Sequence, residues 1–216
     1  MKADDLQKQV EFIVEVDQMK QIFRRTKLID ETRYENDAEH SWHVSVIAIL
    51  FQEHANEPDL DIARVLKMLL IHDIVEIDAG DTFAYDVEGH KDKREREEKG
   101  AERIFGLLPE DQGDELYALW IEFEKQETPE AKYATALDRL QPLIHNYYTD
   151  GEAWRKHNIT AQQVIEMNEH IGEGSEVLWE FACDLIQKCV DKGYLAEKKG
   201  QESVSQKQVC DGGSQK

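Results

Sequence analysis

Between residues 61 and 77, Ile62, Val65, Leu66, Leu69 and Leu70 recur at the i, i+3, i+4, i+7, i+8 spacing that an α-helix presents along one face. The stripe runs without interruption into Ile71-His72-Asp73, so two ionisable side chains stand at the end of a segment that has to be buried. A carboxylate buried there without a partner costs several kcal/mol or more. A hydrogen-bonded His72-Asp73 pair capping the helix would meet that cost, and so would a cation.

The rest of the chain carries the same helical period. Phe12, Val16, Met19 and Phe23 mark a helix over residues 4–24, and Trp42, Val46, Ile49 and Leu50 mark one over 42–54 that ends before Pro58. A charged helix is expected over 93–107, and another is marked by Leu116, Leu119, Trp120 and Phe123. Thr128-Pro129 sets a cap residue before a proline at the first helical position, opening a helix with Tyr133, Leu137, Leu140 and Ile144 on one face and Asp138 on it. Pro142 deprives the Asp138 carbonyl of its helical partner, which implies a kink there or a helix end near 141. Thr160 and Gln163 fit a capping box, and Val177, Leu178, Phe181, Leu185 and Ile186 mark the last long helix. Residues 25–39 and 78–92 read as loops, and no run alternates as a strand would. The fold class expected is all-α.

A chain of 216 residues can bury one core, taken here as a domain over 1–195, followed by a polar, disordered tail over 196–216. Its formal charge of -20, from 46 acidic and 26 basic residues, argues against a nucleic acid polymer as partner, because such binding rests on many Lys and Arg contacts. A small anion is compatible with it, since a metal and one or two arginines can reverse the local potential. No apolar leader opens the sequence and no stretch is long enough to span a bilayer, so a cytoplasmic protein without membrane contact is expected. Cys183, Cys189 and Cys210 lie far from the histidines and do not point to a zinc knuckle.

Chemistry concentrates in His40, the pair His72-Asp73, and Asp138. Imidazole and carboxylate together suit one divalent metal ion, with Mn, Co, Fe, Zn, Ni and Mg all open. Glu76 lies four residues past His72 and three past Asp73, so continued helical geometry would place it over the same face, able to polarise a water or protonate a leaving oxygen. Asp81 follows Gly80, whose backbone freedom would let a carboxylate approach a ligand.

These residues resemble the HD-domain metal-dependent phosphohydrolases. Ala-Glu-His-Ser (38–41), His-Asp-Ile-Val-Glu (72–76), Ala-Gly-Asp (79–81) and Ala-Leu-Asp-Arg-Leu-Gln-Pro (136–142) are similar, in order, to the YfbR-like branch of 5'-deoxynucleotidases and single-domain HD hydrolases. The resemblance covers roughly residues 6–190 and implies an HD-domain-like helical bundle that acts as a 5'-nucleotidase on (deoxy)nucleoside 5'-monophosphates. It implies metal ligation by His40, His72, Asp73 and Asp138, with Glu76 as acid or base and Asp81 beside the sugar. The branch's Leu-Lys-x-x-x-Arg pattern, matched by Met19-Lys20-Gln21-Ile22-Phe23-Arg24, puts Arg24 on the phosphate, with Arg25 the rival. The branch carries a tryptophan immediately after that arginine where Arg25 stands here, so selection for deoxyribose does not carry over. A homodimer is expected by the same analogy. Hydrolysis of another small phosphoester or pyrophosphate, and a non-catalytic metal- or ligand-sensing helical protein, stay open as alternatives.

Overall fold

The first helix, α1 (Ala3–Val16), opens with Asp4 and Asp5 in its first turn, where negative charge suits the helix dipole. It stops eight residues before the end expected from the stripe, giving way to a 3₁₀ turn at Asp17–Gln21 that still buries Met19. A computed structural model describes residues 3–197 of the chain; the polar tail expected from 196 onward lies, beyond Glu197, outside the described residues.

The segment expected to be a loop over 25–39 contains a small antiparallel hairpin, β1 (Phe23–Lys27) and β2 (Tyr34–Asn36), paired Phe23 with Asn36 and Lys27 with Tyr34. Such short polar strands show little of the alternation by which a strand is recognised. Asn36 closes the hairpin and caps α2 (Asp37–Leu50) in a reciprocal box: its side chain accepts from Glu39 N at 2.9 Å, while Glu39 accepts from Asn36 N at 3.2 Å. The helix therefore starts five residues before the expected 42.

Asp61 caps α3 (Ile62–Ile71), whose Val65, Met68 and Leu69 are fully buried. The expected single helix to 77 is divided. After Ile71 the backbone tightens to i→i−3 bonds, Ile74 N to Ile71 O at 3.1 Å and Glu76 N to Asp73 O at 2.9 Å, before the single turn α4 (Glu76–Ala79). Then follow α5 (Lys93–Phe105) and α6 (Glu110–Lys125).

The long α7 (Pro129–Tyr148) starts at the Thr128 cap and runs through Pro142 without ending near 141. Its Tyr133, Leu137 and Leu140 are fully buried, and it packs against α2, α3 and α6. Around it the chain closes with α8 (Glu152–His157), α9 (Ala161–Asn168), α10 (Ile171–Gly174) and α11 (Glu176–Asp191); the expected capping box at Thr160 and Gln163 is formed. The fold is a helical bundle with one small hairpin, as the all-α reading expects. Among the described residues no helix is long and apolar enough to cross a membrane.

Candidate metal centre

Three separate stretches meet at one end of the α2, α3 and α7 packing. The first turn of α2 brings His40, the turn after α3 brings His72 and Asp73, and the middle of α7 brings Asp138. His40 Nε2 lies 2.9 Å from Asp138 Oδ1, and His72 Nε2 lies 3.2 Å from Asp73 Oδ1 and 3.5 Å from Asp138 Oδ1. One ligand atom from each of His40, His72 and Asp73 falls within 4.8 Å of the others.

Both rings are held from behind. His72 Nδ1 donates to the Leu69 carbonyl at 2.9 Å, turning Nε2 toward the carboxylates. That Nε2 is buried and aligned for a hydrogen bond with neither oxygen. His40 Nδ1 donates to Gln141 Oε1 at 3.2 Å, and the Gln141 amide is oriented because its Nε2 donates to Glu35 Oε1 at 2.7 Å. Outer partners of this kind fix the ring and leave the inward nitrogen free to ligate. Two imidazole nitrogens and two carboxylates, one nitrogen without a hydrogen bond, fit a divalent cation in donor type and in arrangement.

Burial and the Arg24 charge lower the His40 affinity for a proton, yet the Asp138 and Glu35 carboxylates prevail and bring it up to about 9. Burial opposes ionisation of Asp138, but the His40 hydrogen bond and the two imidazolium charges hold its carboxyl well below the ordinary range. A cation entering here displaces protons. Because the metal-free His40 is protonated below about 9, apparent Mn(II) affinity is expected to fall as pH drops from 9 toward 6, about tenfold per unit for each proton displaced. Calorimetric titrations in buffers of differing ionisation enthalpy check this; pH-independent affinity without proton release would contradict it.

The other expected residues face the same cavity. Arg24 and Arg25 both line it; Arg24 is the more buried along β1, and its Nη1 reaches Asp73 Oδ2 at 2.8 Å. Glu76, 5 % exposed, borders the cavity through the tightened turn rather than along a continuous helix. Burial, reinforced by the charges of Asp73, Asp37 and Asp81, pushes its carboxyl well above the ordinary range. Gly80 has φ +73°, a left-handed conformation that L side chains rarely adopt, and swings Asp81 onto the cavity wall. Burial raises Asp81 as well, against the opposing charge of Arg24.

Several polar residues here were not expected. Asp37 is fully buried beside Glu76 and Asp73, and burial together with the Asp73 charge pushes its carboxyl up to about 8. Behind His40 lies a second polar group of Glu35, His43, Gln141 and His145, with Gln141 Nε2 at 3.0 Å from His145 Nε2 and 3.3 Å from His43 Nδ1. A signal existed for part of it: Asp138, Gln141 and His145 recur at i, i+3 and i+7, a polar stripe along a helix that is otherwise apolar on its buried side.

The HD domain family matches residues 16–179. The crystal structure of a predicted metal-dependent phosphohydrolase from Magnetospirillum magnetotacticum MS-1 superposes with a TM-score of 0.86 at 51% identity, covering 89% of this chain and 96% of that one. The human 5'-deoxynucleotidase HDDC2 is 33% identical over 112 residues, 52% of this chain and 53% of its own length. The Schizosaccharomyces pombe 5'-deoxynucleotidase hdd1 is 25% identical over 165 residues, 74% of this chain and 73% of its own. The chain thus spans about half the length of the first of these curated relatives.

Proposed function

The chain belongs to the HD domain family, and from that premise we propose that it is a metal-dependent phosphomonoesterase hydrolysing (deoxy)nucleoside 5'-monophosphates to nucleoside and phosphate. The observation that carries the proposal is the convergence of His40, His72, Asp73 and Asp138, with His72 Nε2 buried and lacking a hydrogen bond between two carboxylates. These four would hold one divalent ion, and the mixed nitrogen and oxygen donors suit Mn, Co, Fe, Zn, Ni or Mg. When bound, such an ion lowers the pKa of water and neutralises phosphate charge.

The chain's own residues supply the rest of the chemistry. Arg24, 14 % exposed at the side chain, sets a guanidinium beside Asp73, where it meets charge developing on the phosphate oxygens. Glu76 moves a proton at its carboxyl, taking one from water or delivering one to the leaving 5'-oxygen. Asp81 accepts hydrogen bonds from the sugar, and Phe83, Tyr85 and Trp154 line the cavity as aromatic surfaces for a base. The hydrolase domain of this proposal is 1–195. The relatives named as 5'-deoxynucleotidases support the same substrate class.

A second reading, hydrolysis of a pyrophosphate or another small phosphoester, is favoured by one feature. Arg25, Lys93 and Arg139 also line the cavity, giving it more cations than a single phosphate needs. Phosphate release from nucleoside and deoxynucleoside 5'-monophosphates, pyrophosphates and sugar phosphates, measured with Mn(II) or Co(II), separates the readings. Release from 5'-monophosphates, lost on chelation, is the expected result. Metal-dependent melting without turnover on any phosphoester would leave a sensor in place of an enzyme.

A homodimer in the cytoplasm completes the proposal. Leu6, Val10, Ile13 and Val14 stand exposed on α1 at i, i+4, i+7 and i+8, an apolar stripe suited to a second copy. Sizing chromatography at twice 25.1 kDa is expected, and elution as a monomer would remove this part.

A further inference from the structure

On the Nδ1 side of His40, Gln141 stands at the middle of a polar group of which the hydrolase chemistry uses only a part. Gln141 Nε2 lies 2.7 Å from Glu35 Oε1, 3.0 Å from His145 Nε2 and 3.3 Å from His43 Nδ1. An amide nitrogen carries two hydrogens, so it serves only two of these three atoms. Holding His40 needs the Gln141 oxygen, and orienting that amide needs Glu35. Neither task needs His43 or His145.

The two rings are disposed as ligands. His145 Nδ1 donates to the Lys27 carbonyl at 3.0 Å, which leaves the Nε2 lone pair facing inward. An outer hydrogen bond of this kind holds almost every ligating histidine in its tautomer. Burial, with the His145 charge adding to it, lowers the proton affinity of His43, so its ring is available as a neutral donor. His43 Nδ1 and His145 Nε2 stand 3.3 Å apart. Two nitrogens each about 2.0–2.1 Å from a tetrahedral ion are about 3.3–3.4 Å from one another, so the pair already has the spacing of ligands. Glu35, His43 and His145 each offer one ligand atom within 4.8 Å of the others, and Glu35 Oε2 is buried without a hydrogen-bond partner. Glu35 and His145 are buried, while half-buried His43, its ring stacked with exposed Trp42, gives the group an edge toward solvent.

We propose that Glu35, His43 and His145 form a metal site of their own for a borderline transition ion such as Zn(II), with the Gln141 amide oxygen as fourth donor. It shares no ligand with the centre of His40, His72, Asp73 and Asp138. Four protein donors close the coordination shell, so the site regulates rather than catalyses. For the amide to offer its oxygen it must turn over, exchanging Oε1 and Nε2. His40 Nδ1, which donates to Oε1 at 3.2 Å, then faces an N–H donor in place of an acceptor, and the hydrogen bond that fixes the ring for ligation is lost. Zinc here and a metal at the centre therefore oppose each other, and the opposition is reciprocal. The site stands without the hydrolase reading, whereas the inhibition that follows from it rests on that reading.

Crystals of the full chain, loaded with Mn(II) and then equilibrated with Zn(II), are expected to show an anomalous zinc peak within about 2.0–2.2 Å of His43 Nδ1, His145 Nε2 and a Glu35 oxygen. His43→Ala is expected to retain one zinc ion fewer per chain on elemental analysis after dialysis. Zinc should cut wild-type phosphate release about 10- to 100-fold beyond its effect on His43→Ala, the loss that follows when a ligating histidine loses its outer partner. In that variant only displacement of manganese from the centre remains. Should His43→Ala fail to fold, the wild-type zinc peak decides the site alone. No zinc between His43 and His145, the outcome if the two rings share a proton instead, overturns the site, as does equal zinc content in the two proteins. Zinc at that place with equal inhibition of both overturns the coupling and leaves the site and the hydrolase standing. Zinc at that place in a chain that turns over no phosphoester removes the hydrolase reading and leaves the site.

Discussion

Glu76→Ala is expected to lower kcat for phosphate release by about 10²- to 10⁴-fold, the range that a positioned acid or base contributes. KM should change by no more than a few-fold, and at least one tightly bound metal ion per chain should remain, because His40, His72, Asp73 and Asp138 are untouched. The effect is expected to be large because Glu76 is 5 % exposed, borders the cavity, and has its carboxyl pushed well above the ordinary range by burial and by the charges of Asp73, Asp37 and Asp81. A carboxyl raised in this way holds a proton more firmly than an ordinary glutamate, which suits a group that delivers one. Glu76→Gln, which preserves shape and hydrogen bonding, should lose a similar factor. Turnover in either variant within a few-fold of wild type would remove Glu76 from the chemistry.

Asp138→Ala should abolish both metal retention and turnover. Its Oδ1 is 2.9 Å from His40 Nε2 and 3.5 Å from His72 Nε2, the position through which the two rings are drawn to one point. Loss of an outer partner costs metal affinity about 10- to 100-fold, and loss of a ligand should cost more. Stability reports the same event. A ligand present at a thousand times its Kd stabilises the folded state by about 4 kcal/mol, which for a chain of this size raises Tm by about 8–16 °C. Wild type should show such a rise on adding Mn(II), and Asp138→Ala almost none. An equal rise in both would mean that the stabilising ion binds elsewhere.

How far the sequence discloses this site varies with the physics of each part. The α3 stripe, the Thr128-Pro129 start of α7 and the Thr160–Gln163 capping box are local signals, and each lies where local rules place it. His72, Asp73 and Asp138 stand out because ionisable groups interrupt or ride on apolar helix faces. The break after Ile71 was hidden because Ile74, Val75 and Ile77 continue an apolar pattern across it, so nothing local marks the tightened turn that aims Glu76 inward. The hairpin was hidden for the opposite reason, since FRRTK and YEN are too short and polar to alternate visibly. Asp37 and Glu35 are single acids in a polar stretch, and only the packing of α2 and β1 against α7, with Gln141 donating to Glu35, makes them buried. Pro142 left a kink or a helix end near 141 open, and the end is excluded because the helix runs on to Tyr148. Arg24 is the more buried of the two arginines on β1 and reaches Asp73, a difference that the sequence does not display without the strand.

Anomalous scattering from crystals of the full chain grown with Mn(II) and measured above the manganese edge is the most direct test of the four-residue centre. A peak is expected within about 2.0–2.3 Å of His40 Nε2, His72 Nε2, an Asp73 oxygen and an Asp138 oxygen together. Manganese bound elsewhere in the chain, with Asp138 still resting on His40 and no peak between it and His72, would contradict the centre and the phosphohydrolase built on it.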